Sequence, residues 1–255
     1  MANKENKSAK TPEQIKEDAV IYKAAADLGI LLLAFYLINY LNNVYPVTEG
    51  FFLIRPWLLA ITIIGAVAAV GSVITAFLRP NGKKKVWIMC AIISIALAAS
   101  AYSLYQLWMR PLPLISVLVY GSCILYLIYL LYPIDFTVIA FLTGLTGYGF
   151  YLHDQRGGIT RLVLAIYAVS CLLCLAAIVL AGLAAKKSGK LTVGKFSLRL
   201  YSGTEGPIPL YLTGTLWIVC IAAALIAGST FAHYGLYAAG GFAFIAACYY
   251  TINLN

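Results

Sequence analysis

Long apolar runs separated by short polar breaks dominate this chain. Eight runs can be drawn, at about 24–44, 57–78, 86–109, 112–132, 134–152, 162–184, 208–228 and 231–251. Each approaches or exceeds the roughly 20 residues needed to cross a hydrocarbon core of about 30 Å. Leu, Ala and Ile predominate, without the strict alternation of a barrel strand. Lipid offers no hydrogen bonds to the backbone, so each run must satisfy its own peptide groups, which a helix does. The pattern predicts an all-α fold: a polytopic integral membrane helical bundle of about eight transmembrane helices.

The breaks have physical causes. Arg79-Pro80-Asn81-Gly82 is a turn sequence followed by Lys83, Lys84 and Lys85. Arg110-Pro111-Leu112-Pro113 interrupts helix, because proline lacks a donor and its ring clashes with the preceding turn. Pro133 divides what would otherwise be a helix of about 60 Å, twice the bilayer core. Asp135, just after it, reads as a helix N-cap. The pairs of runs flanking Pro133 and residues 229–230 could each be full spans or re-entrant.

Composition agrees with the threading. Hydrophobic residues make up 62% of the 255 positions and charged residues 11%, against about 25% charged in a soluble domain. The net charge of +9 is topological in this setting. With the N-terminus in the cytoplasm, the basic residues at 4–23, 79–85 and 186–199 lie inside. Only Arg55, Arg110, Arg156 and Arg161 lie outside. Short basic loops stay cytoplasmic, so both termini are expected there, in a cell membrane of bacterial type. No basic stripe interleaved with aromatics suggests nucleic acid. The expected contacts are the bilayer, its anionic inner-leaflet lipids, and a membrane protein partner or further copies of the chain.

Residues 1–23 read as a cytoplasmic tail leading into a juxtamembrane helix, with Thr11 as N-cap and Pro12 at the first helical position. Residues 24–251 read as one transmembrane domain. Its basic loop, 185–206, contains a segment of period two: Lys195, Phe196, Leu198 and Arg199 fall in an extended stretch suited to the inner leaflet or a partner. Lys83, Lys84 and Lys85 are the other candidates for lipid or partner contact.

Candidate chemistry is sparse. Asp27 is the deepest ionisable residue of the spans, with Lys23 four residues before it on the same face. It reads as a cation or proton ligand, or as one half of a pair with the snorkelling lysine. The stretch Tyr151-Leu-His-Asp-Gln-Arg-Gly-Gly places His153 and Asp154 on the predicted outer rim, where His233 and Glu49 also fall. Two histidines and two carboxylates could hold a transition metal. The competing reading is a polar turn punctuated by Gly157 and Gly158. Cys171-Leu-Leu-Cys174 lies mid-run, where thiols are packing residues and not redox groups. Small residues such as Gly65, Ala69, Ser72, Gly144, Gly147 and Gly149 suit close helix packing; in the fifth run they could instead mark a locally unwound segment.

No catalytic residue and no cofactor is implied. The leading expectation is a non-enzymatic membrane component, an accessory subunit or scaffold, because the runs hold so few buried polar groups. The alternative is a small transporter or channel for an apolar or neutral solute, with Asp27 as coupling site. The third is a membrane enzyme using the outer His/Asp rim.

Overall fold

The computed structural model describes residues 12–78, 84–185, 190–193, 196–199 and 206–252. Eight helices account for nearly all of them: α1 Pro12–Val44, α2 Thr48–Leu78, α3 Lys84–Leu107, α4 Leu112–Leu131, α5 Ile134–Gln155, α6 Arg161–Ala185, α7 Ile208–Ala227 and α8 Ser229–Ile252. All eight are long and apolar enough to cross a membrane. The one addition is a short antiparallel hairpin between α6 and α7, β1 Lys190–Val193 with β2 Phe196–Arg199, in which Lys190 pairs Arg199. The extended reading of that segment therefore holds for the backbone of Phe196, Leu198 and Arg199. Lys195 and Lys83 lie outside the described residues, as does Thr11; Lys84 begins α3, with Lys85 next to it.

One boundary differs from the sequence reading. The second helix starts at Thr48, not near residue 57, and runs through Arg55 and Pro56. A proline removes one helix donor, a loss that membrane helices tolerate where neighbouring groups satisfy the freed carbonyl. The chain turns from α1 to α2 within Tyr45–Val47, and the turn is tight. A Cβ built on Gly50 would fall 1.9 Å from the Val44 carbonyl oxygen, so only glycine fits.

The chain divides into two compact units, Ala25–Cys123 and Met1–Ala24 with Ile124–Asn255. In the first, α2 and α3 form a hairpin whose seam is made of small residues. Gly65 faces Ala98 closely, with Ala69, Ser72 and Ala76 buried on α2 and Ala91 and Ala101 on α3. Small residues let two backbones approach, which replaces the hydrophobic driving force that lipid removes. At the end of this hairpin, Tyr45 is fully buried and donates to the Leu104 carbonyl at 3.2 Å. Arg55 lies 5.0 Å over Phe51 and 4.7 Å over Tyr105, a cation on two ring faces. By contrast, α1 and α4 join the hairpin at one end, where Ile38, Leu41, Val44, Leu112 and Ile115 pack into its apolar cluster, and farther along Phe35 of α1 meets Tyr120 of α4 at 6.3 Å.

In the second unit, α5 to α8 pack as a bundle around α5. Buried positions include a series at alternating steps of three and four: Phe136, Ile139, Thr143, Thr146, Phe150 and His153 on α5, and Val163, Tyr167, Ser170, Cys174, Ala177, Ala181 and Ala184 on α6. That spacing keeps one seam facing the neighbours along a whole helix. α5 and α8 run antiparallel: Asp135 meets Tyr250, Gly147 meets Ala239, Phe150 meets Gly235, and Asp154 meets His233. Gly228, at φ 77°, is the single residue between α7 and α8. Trp217 and Phe242, one on each side of it, meet edge-on at 5.4 Å, so the chain reverses there. α5 is one continuous helix, so its glycines do not mark an unwound segment. Gly147 and Gly149 serve approach, a Cβ on Gly149 lying 2.8 Å from the Tyr167 ring, whereas one on Gly144 would meet nothing within 4 Å.

Candidate functional site

The polar groups of the second unit gather on the seam of α5. Thr143 accepts a hydrogen bond from the indole N–H of Trp217 on α7 at 3.1 Å. Thr146, His153 and Ser170 are completely buried. The Nδ1 of His153 lies 3.2 Å from the hydroxyl of Tyr167 on α6, which is itself buried. Whichever of the two donates, the other ring nitrogen of His153, Nε2, has no hydrogen-bond partner, and neither have Thr146 Oγ1 and Ser170 Oγ. The α5–α6 pairing sets their depth. His153 and Gly149 both meet Tyr167. One turn deeper on each helix, the same antiparallel register puts Thr146 opposite Ser170. Below Thr143 the seam becomes apolar, with Leu142, Ile139 and Phe136 buried. An apolar recess of about 180 Å³, lined by Leu142, Leu173, Ala177 and Leu210 among others, opens beside that level.

At the other end of α5 the turn reading holds. Arg156 caps the helix, its N–H bonded to the Leu152 carbonyl at 3.2 Å, and Gly157 takes the left-handed conformation at φ 62°. On this rim Asp154 Oδ2 and His233 Nδ1 are 3.0 Å apart, joining the end of α5 to the start of α8, and both side chains are partly exposed. The carboxylate fixes the orientation of the imidazole, with Nδ1 donating. Tyr234 and Tyr237 stand edge-on to the same ring at 5.8 and 5.2 Å.

Of the three residues of this unit expected to share a rim, the structure brings Asp154 and His233 together. His153 is turned into the bundle toward Tyr167, and Glu49 belongs to the other unit. Among the described residues no group of three His, Cys, Asp or Glu side chains could hold a metal ion. Pro133 occupies the N-cap position without a side-chain bond, Asp135 is the acidic residue of the first turn of α5, and its Oδ2 accepts from the Tyr250 hydroxyl at 2.9 Å. The hydrogen bond ties the start of α5 to the end of α8.

Asp27 is buried, and its Oδ2 has no hydrogen-bond partner, while the Lys23 side chain is exposed. The expectation of few buried polar groups is corrected. Asp27, Ser72, Thr143, Thr146, His153, Ser170 and Thr213 are all buried. Sequence reading passed over most of them because Ser and Thr are ordinary in membrane helices, and only their three–four spacing sets them apart.

No family profile matches the chain, and neither the curated proteins nor the solved structures contain a match.

Proposed function

We propose that this multi-pass membrane protein is a non-enzymatic component that works by associating with the helices of another membrane protein. The supporting observation is the contrast in packing. Of the most apolar stretch of each helix, 6% is buried in α1 and in α4, whereas 44% is buried in α5. In lipid, apolar exposure costs nothing, so association depends on close packing and polar bonds between helices. α1 also carries polar residues on exposed positions: Asn43 donates to Asn39 at 3.4 Å, with Tyr36 and Tyr40 on the same stretch. Each amide retains bonding capacity that a neighbouring helix can satisfy. The test is purification in mild detergent followed by native mass spectrometry. A stoichiometric second protein supports the reading. A particle built of 27.6 kDa protomers alone removes it.

A second reading is favoured by Asp27. A buried intramembrane carboxylate with an unpaired oxygen is costly and is a functional candidate by default. It suits a small transporter or channel in which Asp27 takes up a proton or cation. Uptake into vesicles that is lost in Asp27→Asn supports this reading, and uptake unchanged in that variant removes it.

A further inference from the structure

Among the described residues of the second unit, His153 Nε2, Thr146 Oγ1 and Ser170 Oγ are buried atoms without a hydrogen-bond partner. All three side chains are fully buried, and all occupy interior positions of the α5–α6 seam. Packing three such atoms dry would be expensive, since buried polar groups in folded proteins pair with protein or with ordered water. They also lie in order. Thr146 and Ser170 share a level, and His153 stands about two turns from Thr146 toward the Asp154–His233 rim. The adjacent residue, Asp154, is already partly exposed there. On α5 the fully buried polar side chains end at Thr143, bonded to Trp217; beyond it Leu142, Ile139 and Phe136 are buried, and the buried Thr213 of α7 gives its hydroxyl proton to the Pro209 carbonyl at 2.8 Å.

We propose that the α5–α6 seam holds a short file of ordered water entered from the Asp154–His233 rim, with His153 exchanging protons with it. The ligand class is water and the proton it carries. The inlet is one-sided, because below Thr143 the facing residues of α5 and α6 are apolar and offer water no partner. A proton passes from water to the imidazole and returns to water, with no other bond made or broken. The groups around His153 are consistent with this role. Tyr167 faces it from α6, Asp154 adjoins it on α5 and is tied to His233 of α8, and α7 contains no charged residue. This inference concerns the second unit and stands whether or not the chain has a protein partner.

The experiment uses the full chain in phosphatidylcholine nanodiscs, labelled with ¹⁵N at its 2 histidines. His233→Gln assigns the two signals. The probe is water itself, read as exchange of the His153 ring proton. Exchange within seconds is the expected result, although the side chain is fully buried. Thr146→Val and Ser170→Ala should each slow it by about tenfold, the factor set by one lost hydrogen bond to water of about 1.4 kcal/mol. A His153 proton that persists for hours in ²H₂O would show a dry core histidine and overturn the proposal. The wild-type rate decides this even if a variant folds poorly. One-sidedness is read in phosphatidylcholine vesicles with an entrapped pH dye. The wild type should not carry protons across, and Leu142→Ser should leak. A leak of equal size in His153→Phe/Leu142→Ser would overturn the route through His153.

Discussion

The indole N–H of Trp217 reaches across from α7 to the hydroxyl of Thr143 on α5, 3.1 Å away and out of reach of solvent. Because the Trp217 ring also meets Phe150 at 6.3 Å and Phe242 at 5.4 Å, one side chain joins three helices. Removing the acceptor alone leaves a buried donor unpaired. Thr143→Val should therefore cost about 1–2 kcal/mol, and Thr143→Val/Trp217→Phe less than the sum of the single changes. Unfolding in mixed detergent micelles, run as a double-mutant cycle, measures the coupling. Membrane hydrogen bonds average about 0.6 kcal/mol in such cycles, so a coupling near zero would reduce the pair to a packing contact.

The α1–α2 turn makes a sharper demand. Gly50 is buried, and any side chain there would run into the Val44 carbonyl. Backbone cannot yield as a flexible side chain can. Gly50→Ala is expected to destabilise the first unit by about 2 kcal/mol or more, within the range of overpacked sites. Gly29→Ala is the control, because a Cβ there meets nothing within 4 Å. It should be neutral or slightly stabilising, as alanine is the better helix former by about 1 kcal/mol. Thermal unfolding of the two variants in one detergent compares them directly.

The eight helices could be read from the sequence because lipid thickness imposes a length on every apolar run. Seven of the eight starts follow the breaks, and the exception is instructive: Arg55-Pro56 looked like a loop but lies within α2. Two aromatic faces carry the Arg55 charge, so it needs no aqueous turn. What the sequence concealed was which face of each helix points inward. In water, burial writes itself as hydrophobic periodicity. In lipid both faces are apolar, and that signal vanishes. The seam of α5 is marked instead by Thr143, Thr146 and His153, whose spacing matches the bundle interior. Adjacency in sequence suggests one rim for His153 and Asp154, but adjacency on a helix is not a shared orientation. On a helix, adjacent residues point about 100° apart. Asp154 faces His233, and His153 faces Tyr167.

The rim pair makes a modest prediction. Asp154 and His233 are 28% and 46% exposed, so solvent screens their attraction. Asp154→Asn should cost no more than about 1 kcal/mol of bundle stability. Its effect should shrink further at high ionic strength. Detergent unfolding at low and high salt reads both. A loss of several kcal/mol would mean that the pair organises the α5–α8 junction beyond its own bond.

Sidedness is open to direct labelling. Lys84 begins α3 and belongs to the basic segment that the charge rule places in the cytoplasm. A cysteine at this position, Lys84→Cys, should resist a membrane-impermeant maleimide in intact cells and react after permeabilisation. Arg156→Cys, at the opposite end of its bundle helix from Asp135, should react without permeabilisation. The reverse pattern would invert the assigned topology and with it the face from which water enters the α5–α6 seam.

Asp27 is where stability and function should part company. Its carboxylate is buried on α1 with Oδ2 unpartnered, and Cys123 of α4 is within electrostatic reach. Nothing in that arrangement repays the cost of desolvating a carboxylate. Asp27→Leu should therefore raise stability in detergent, by about 1–3 kcal/mol. A residue kept at a cost to the fold is a candidate for work elsewhere, either a cation taken up from solution or a basic group on a partner helix. The two are separable. If Asp27 binds a cation or proton, Asp27→Asn abolishes coupled uptake in vesicles and leaves co-purification of a partner intact. If it meets a partner's basic side chain, the same substitution lowers the yield of the complex and leaves uptake unaffected. A variant less stable than the parent would contradict the premise, since it would mean that the carboxylate makes a favourable bond within the chain.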